Sequence, residues 1–152
     1  ALQEKGGAQQ KKRKEILAVD SLADADKNFV QVAHCDINSV TETLTDKKSA
    51  FDTSFMVNKA QHYLMTKLIK KGALLFFIGG DNFMCPCNGM DEDEITEILK
   101  EINDEIGIGI KAGIGRGRNA EDAAYMADIG LEKIREDNNK KWIEIVEKDY
   151  ED

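Results

Sequence analysis

The sequence predicts an α+β domain in which helices cover one face of an antiparallel sheet. Three observations carry this prediction. Short β-branched runs alternate in hydrophobicity, longer segments repeat apolar residues at helical spacing, and the segments follow one another in the order β-α-β-β-α-β-α. This order matches the split βαβ plan of ferredoxin-like folds. Because many unrelated functions use that plan, the function has to be sought in a site.

The composition bounds both the size of the domain and its partners. With 152 residues, 41% of them hydrophobic, the chain is long enough for about one domain. Its net charge of −8 argues against sequence-independent nucleic-acid binding, which depends on Lys and Arg. No apolar run reaches the roughly 18–20 residues that span a bilayer, and the basic N-terminus lacks a secretory apolar segment. We therefore expect a cytoplasmic protein without a membrane or nucleic-acid partner, with Cys35, Cys85 and Cys87 as reduced thiols.

The first strand follows a polar N-terminal segment. Residues 1–26 contain a double glycine and a basic run and make no core by themselves. They are either a solvated helix that leads into the domain or the end of a preceding domain, and the domain itself is expected over residues 27–152. The run FVQVAHCDI (29–37) alternates and predicts a strand that ends at Asp36.

The first helix has signals at both ends. Ser49 and Asp52 have the spacing of a capping box, and Gly72 is a typical stop. Between them, these apolar residues recur at helical spacing: Phe51, Phe55, Ala60, Tyr63, Leu64 and Leu68.

A hairpin is expected next. The run ALLFFIGG (73–80) is fully apolar, so we place it as a central strand of the sheet. The run NFMCPCN (82–88) returns as a third strand, in which Pro86 indicates an edge or irregular position.

Two further helices surround a glycine-rich strand. Asp91 opens the second helix, and a buried stripe is expected from Ile95, Ile98, Leu99, Ile102 and Ile106. The strand GIGIKAGIGRG (107–117) alternates glycine where another element packs closely. The last helix starts from Asn119 with Asp122 at the capping-box position. Its inner face is expected to contain Ala123, Ala127, Gly130 and Ile134, and residues 141–150 are compatible with a terminal strand.

Polar side chains gather where the first strand ends. In the predicted plan the first and third strands are neighbours, so Asp36 comes close to Asp81 at the hairpin tip. Together with Asn38 and Asn82, these carboxylates form an all-oxygen site suited to Mg²⁺, which completes its shell with water and phosphate. We therefore predict a magnesium site at this end of the sheet.

The hairpin tip has two interpretations. Gly79 and Gly80 let a backbone approach a phosphate closely, because a side chain there obstructs it. The same residues with Asp81 and Asn82 are also good turn formers, which requires no function. Both interpretations stay open from the residues alone.

Several long motifs resemble one family. The runs VQVAHCDINSVTETLTD, SAFDTSFMVNKAQ, ALLFFIGGDNFM and IKAGIGRGRNAEDAAYMADIGLEKIRE together resemble the C-terminal half of archaeal GTP cyclohydrolase III. The run LQEKGGAQQKKRKEIL resembles the segment that joins its two halves. The resemblance covers residues 1–136 and implies two tandem halves, each similar to the palm domain of diguanylate cyclases.

The resemblance also implies an activity and partners. It implies magnesium-dependent hydrolysis of GTP to 2-amino-5-formylamino-6-(5-phosphoribosylamino)pyrimidin-4-one and two phosphates. Residues 1–26 would then be the linker, or trailing helix, of an N-terminal half missing from this chain. The expected partners are GTP, that N-terminal half and further copies of the protein.

Similarity to the cyclase palm implies roles for individual residues. It places metal binding on Asp36, the carbonyl of Ile37 and Asp81, with both carboxylates catalytic. Cyclases have Gly-Gly-Asp-Glu at the hairpin, whereas this chain has Asn82 in the last position and so one carboxylate fewer. That loss weakens a mechanism with a metal-activated 3′-hydroxyl but is compatible with metal-assisted hydrolysis.

Nucleotide-binding candidates lie on either side of these carboxylates. Asp46, in a region that also contains Thr41 and Thr43, is a candidate partner for the guanine N–H groups, with helix capping as its alternative. Lys111 is a candidate phosphate ligand or a solvated edge residue. Arg135 and, with less support, Lys133 lie near the place of a phosphate-contacting lysine in palm cyclases, with a solvated helix face as the alternative for both.

Three other residues have a functional and a structural interpretation, and a fourth has only a structural one. Arg116 and Arg118 either clamp an anion or only aid solubility. His34 is either a packed strand residue or, with less support, a general base, and His62 is expected on a helix surface.

Three functions remain open. The chain is the C-terminal half of a GTP cyclohydrolase, a complete small nucleotidyl cyclase, or a non-catalytic half that senses nucleotide or holds a dimer. The products formed from GTP and magnesium separate the three.

Overall fold

A computed structural model describes residues 29–37, 49–138 and 140–151 of the chain. Within these ranges the elements are β1 Val30–Ile37, α1 Ala50–Lys70, β2 Phe76–Gly79, β3 Asn82–Pro86, α2 Glu92–Ile106, β4 Ile110–Gly117, α3 Ala120–Glu136 and β5 Ile143–Glu147. None of the helices described in this way is long and apolar enough to cross a membrane. The expected linker over residues 1–26 lies outside the described part of the chain.

The strands form one sheet in the order β2-β3-β1-β4-β5. The β1–β3, β1–β4 and β2–β3 pairs are antiparallel, which confirms the predicted α+β class and ferredoxin-like order. Residues 143–147 confirm the terminal strand, but β5 pairs with β4 in parallel. The parallel pairing follows from α3, which crosses between the two strands.

The predicted central position of the second strand is wrong. β2 lies at the edge of the sheet, and Phe76, Phe77 and Ile78 are each about half exposed. β3 lies inside the sheet, and Pro86 is its last residue. A continuous apolar run does not distinguish burial on both faces from exposure at an edge, which explains the error.

One face of the sheet carries α1 and α2. Ala33, Cys35 and Ile37 of β1 join Phe83 of β3 in a core cluster with both helices. The predicted α2 stripe is confirmed, with four buried residues and a partly buried Ile106. The apolar stripe predicted for α1 is confirmed only in part, because Phe51 and Phe55 near the start of the helix are 87% and 67% exposed.

The opposite face carries α3, so the helices do not all share one face as predicted. Ala112 and Ile114 point into the first core cluster, and the alternation of a strand therefore turns Gly113 and Gly115 the other way. A Cβ built on Gly115 would lie 1.8 Å from the carbonyl oxygen of Ala123. The alternating glycines thus let α3 lie directly on the strand.

The helix N-termini confirm the predicted caps. Ser49 with Asp52 and Asp91 with Glu94 form capping boxes. At Asn119 only one bond of the predicted box is formed, in which the Asn119 side chain accepts from the backbone N–H of Asp122. The acidic run at 91–94 therefore has a local role at a helix start.

A pH-dependent contact ties the C-terminal segment to α3. Tyr150 donates its hydroxyl hydrogen to Asp122 Oδ2 at 2.6 Å, and this bond is the main cause that lowers the pKa of Asp122. A carboxyl whose pKa is lower when folded stabilises the fold above its unfolded pKa and loses that contribution as the pH falls. Tyr150→Phe should therefore be less stable than wild type at pH 7, and the difference should narrow below about pH 4.

Urea unfolding from pH 2 to pH 7 measures this effect. Tyr125→Phe is the matched control, because Tyr125 lies on α3 with Asp122 and is 60% exposed. A difference between Tyr150→Phe and wild type that stays constant across this range would show that the bond to Asp122 contributes nothing.

Candidate functional site

The structure brings Asp36 and Asp81 together at one end of the sheet. Asp36 is the register partner of Asn82, and the backbone N–H of Ile37 donates to the carbonyl oxygen of Asp81 at 3.2 Å. Burial and the adjacent Asp36 carboxylate, with which the side chain shares a hydrogen bond, raise the pKa of Asp81. The two carboxylates therefore lie close enough to disfavour double ionisation.

Two basic side chains lie beside this carboxylate pair. Arg135 Nη2 donates to Asp36 Oδ2 at 2.8 Å. Lys111 is the register partner of Asp36 on β4 and is only 5% exposed, so it does not lie on a solvated edge as one interpretation proposed. Glu132 also binds Arg135. The site thus combines closely spaced charges of both signs.

A path of hydrogen-bonded polar side chains extends from the carboxylate pair to α3. Asn82 Nδ2 donates to Asp81 Oδ1 at 3.0 Å, and Asn82 Oδ1 lies 2.9 Å from His34 Nε2. His34 Nδ1 in turn lies 2.6 Å from Asp128 Oδ1. His34 is therefore neither a simple packed residue nor a group pointing at open solvent.

The sequence analysis missed Asp128 and underrated His34. A signal was present, because His34 is two residues before Asp36 and so lies on the same face of β1. Asp128 precedes Arg135 by seven residues, or about two helical turns, and so shares its face of α3.

The glycines of the hairpin are required by the backbone. Gly79 and Gly80 have φ values of +115° and +59°, which residues with a Cβ rarely adopt. A Cβ added at Gly79 would meet no protein atom within 4 Å, so open space faces this side of the turn. The turn therefore offers backbone that a ligand can approach.

A cavity of about 410 Å³ lies between the first half of α1 and the hairpin. This size falls in the range of small-molecule sites. We call it the α1–hairpin cavity. Its lining consists of Ala50, Thr53, Ser54, Val57, Asn58, Gln61, Phe77 and Gly80. It joins the hairpin directly before Asp81, and the sequence analysis did not predict it.

Other candidates lie away from the carboxylates. Arg116 Nε donates to Gln31 Oε1 at 2.8 Å, and Arg118 stacks on the Tyr150 ring. Arg116 is five residues beyond Lys111 on β4, about 17 Å along a strand, so the arginines do not join this site. Lys133 and His62 are exposed on helix surfaces.

Some predicted residues fall outside the described ranges. These are Asn38, Thr41, Thr43 and Asp46, whose roles stay predictions. Within residues 29–37, 49–138 and 140–151, no group of three or more His, Cys, Asp or Glu side chains is arranged to hold a metal ion. A cation between Asp36 and Asp81 would take its other ligands from carbonyls, water or phosphate.

Solved structures share the fold. The GGDEF domain of DgcB from Caulobacter crescentus, solved in complex with c-di-GMP, matches with a TM-score of 0.65 and 11% identity over 78% of each chain. The active GGEEF domain of a diguanylate cyclase from Vibrio cholerae matches with a TM-score of 0.60 and 11% identity over 81% of this chain and 85% of that one. These likenesses confirm a palm-like fold.

Sequence relatives are much closer. GTP cyclohydrolase III of Methanobrevibacter smithii is 76% identical over 99% of this chain and 59% of the relative. The protein of the same name from Methanocaldococcus jannaschii is 57% identical over 88% of this chain and 50% of the relative. The chain therefore spans about half the length of these relatives.

The family assignment rests on nearly the whole chain. The family model for GTP cyclohydrolase III matches residues 1–148, and the relatives confirm the resemblance seen in the motifs. The chain belongs to the GTP cyclohydrolase III family.

Proposed function

We propose that this chain is the C-terminal half of a magnesium-dependent enzyme that hydrolyses GTP to 2-amino-5-formylamino-6-(5-phosphoribosylamino)pyrimidin-4-one and two phosphates. The observation that carries the proposal is the contact between Asp36 and Asp81, with Arg135 and Lys111 beside them, in a chain of this family. Paired carboxylates with adjacent cations suit the binding of a metal–triphosphate complex.

The donor set fits magnesium. Mg²⁺ uses one or two carboxylates and completes its shell with water and substrate phosphates. The raised pKa of Asp81 reflects burial and unfavourable proximity to Asp36, both of which a bound cation would offset. Asp36, Asp81 and the carbonyl of Ile37 are the proposed ligands. Bound magnesium would offset phosphate charge and activate water.

The remaining residues would bind and orient the triphosphate. Arg135 pairs with Asp36, and a cation at Asp36 would release its guanidinium to a phosphate. Lys111 is the next positive charge on the same face of the sheet. Gly79 and Gly80 would let backbone approach the phosphates. Asn38 and Asp46 remain proposed contacts to the nucleotide.

The α1–hairpin cavity is the proposed site of the guanine base. Its position directly before Asp81 would let a base enter while its phosphates reach the carboxylates. Amide and hydroxyl side chains supply hydrogen bonds that suit a purine edge, and Phe77 supplies an apolar wall.

Gln61→Leu is expected to weaken GTP binding about three- to tenfold, the effect of losing about one hydrogen bond. The change keeps the size of the side chain but removes its amide. GTP titration in the presence of MgCl₂ measures it, with His62→Leu as the control because the neighbouring side chain is exposed. Equal affinity of Gln61→Leu and His62→Leu would exclude Gln61 from base recognition.

The proposed assembly includes more than this chain. Relatives about twice as long are compatible with a preceding half joined through residues 1–26, and further copies are proposed partners. A cytoplasmic location fits the three free, buried thiols, which a reducing compartment preserves.

Two alternatives have observations in their favour. The GGDEF-like fold favours a small nucleotidyl cyclase. Against it, Asn82 replaces the second acidic residue of the hairpin, and its amide is bonded to His34 and Asp81. The partial coverage of the relatives favours a non-catalytic half that senses nucleotide or holds a dimer.

Product analysis separates the three functions. The chain is incubated with GTP and MgCl₂, and nucleotides and phosphate are resolved by chromatography and mass spectrometry. A formylated pyrimidine nucleotide, formed together with two equivalents of inorganic phosphate, supports the cyclohydrolase. A cyclic or linear dinucleotide with pyrophosphate supports the cyclase, and binding without turnover supports the non-catalytic half.

A further inference from the structure

Three side chains from three elements form a continuous hydrogen-bonded path that ends at Asp81. The path runs from Asp128 on α3 through His34 on β1 to Asn82 on β3, with contacts of 2.6 Å and 2.9 Å. Its last contact is the 3.0 Å bond from Asn82 to Asp81. His34 is separated from Asp128 by 94 residues in sequence, so the fold and not local geometry assembles this path.

The direction of each hydrogen bond follows from the chemistry of the groups. Asn82 Nδ2 is a donor, and the Asp81 carboxylate accepts from it. The amide oxygen of Asn82 therefore faces His34 and accepts the hydrogen on Nε2. Asp128 Oδ1 lies 2.6 Å from Nδ1 on the other side of the ring and accepts a hydrogen from it whenever the imidazole is protonated at both nitrogens. The imidazole is thus held from both sides, and it holds the Asn82 amide in one of its two orientations.

Without the hydrogen bond from Asn82, the local backbone would not hold the Asp81 side chain in its position. Asp81 follows two glycines with positive φ, and β2 and β3 are out of regular register between Phe77 and Gly79. A bond to one carboxylate oxygen opposes rotation of the side chain away from Asp36.

We infer that His34 and Asp128 are positioning residues that fix the Asn82 amide and, through it, the Asp81 carboxylate. The inference rests on the proposed function, in which Asp81 is a magnesium ligand. Partners outside the ligand shell commonly alter metal affinity by about 10–100-fold. The path is partly exposed, with Asp128 54% and the His34 side chain 15% exposed, so its contribution to stability is expected to be small.

His34→Leu tests the inference, with His34→Gln as the conservative variant. Leu removes the bond to Asn82, whereas the amide nitrogen of Gln donates in place of Nε2. His34→Leu is expected to weaken the magnesium dependence of GTP binding about tenfold, and His34→Gln to restore most of it. Asp128→Asn, which keeps an acceptor for Nδ1–H, should lose less than Asp128→Ala. His62→Leu controls for the loss of a histidine.

Two measurements keep this test separate from that of the proposed function. The first is calorimetric titration of MgCl₂ into each variant at saturating GTP, alongside thermal unfolding. The second is the crystal structure of the metal-free variants, in which the Asp81 side chain should leave its place only in His34→Leu and Asp128→Ala. An unmoved Asp81 in His34→Leu overturns the inference. Wild-type protein without magnesium-dependent binding overturns the proposed function, while the crystal structures still decide the positioning.

Discussion

Asp81→Asn is expected to abolish most magnesium-dependent GTP binding while the fold stays intact. Asn keeps an oxygen that accepts from Asn82 Nδ2, and the backbone bond to Ile37 is unchanged. The charge that holds the cation is lost. Because outer partners alone are commonly worth about 10–100-fold, loss of a direct ligand should weaken binding at least about 100-fold, or about 2.7 kcal/mol.

Although Asp81→Asn should weaken GTP binding, it should not destabilise the metal-free protein. Burial and Asp36 raise the pKa of Asp81, so its ionised form at neutral pH is unfavourable in the folded state. Removing that charge should leave the melting temperature unchanged or slightly higher. If the hairpin residues only make a turn, Asp81→Asn should also leave the fold intact, but it should leave GTP binding unchanged as well.

GTP titration with and without MgCl₂, together with thermal unfolding, measures both effects. Asp104→Asn is the matched control, because it removes one exposed carboxylate on α2. Magnesium-dependent affinity equal to that of Asp104→Asn would remove Asp81 from the site, although the family assignment would stand.

Gly115→Ala is expected to be among the most destabilising single substitutions. The added Cβ would lie 1.8 Å from the Ala123 carbonyl oxygen and 2.3 Å from the Ala127 nitrogen. Both are backbone atoms of α3, so no side chain can rotate to make room. Such overpacking should cost at least about 3 kcal/mol, a large part of the roughly 5–15 kcal/mol that stabilises a domain.

Urea unfolding of Gly115→Ala measures this cost. Gly107→Ala is the control, because Gly107 has a φ of +67° but a Cβ there meets nothing within 4 Å. The control should lose about 1 kcal/mol from backbone strain alone. Equal losses in the two variants would contradict the close packing of α3 on β4.

Local signals in the sequence located most of the elements. The α2 stripe of isoleucine and leucine, the capping box at Ser49, the start of α2 after Asp91, and the alternating glycines of β4 all appear in the structure as predicted. Each depends on residues a few positions apart, whose spacing is set by helix or strand geometry. The position of β2 at the edge or the centre of the sheet is not set by such local spacing, because it depends on how all the strands pair.

Part of the candidate site was also accessible from the sequence. The order of elements placed the end of β1 beside the hairpin, and this was enough to bring Asp36 and Asp81 together. The path from Asp128 through His34 was not accessible in this way, since a histidine within an apolar strand is ordinarily a packed residue. The α1–hairpin cavity was missed because the space between elements leaves no pattern along the chain.

The sequence by itself determined the α+β class, the extent of the helices, the family and the two carboxylates at the strand ends. Only the tertiary structure decided that α3 covers the face opposite α1 and α2, that Lys111 is buried, and that Arg135 and Asp128 reach β1. The physical reason is the range of the interactions. Caps and periodic stripes act over about one to a few turns, whereas Arg135 meets Asp36 across 99 residues. Such a contact exists only after the packing of the helices on both faces has fixed where each side chain ends.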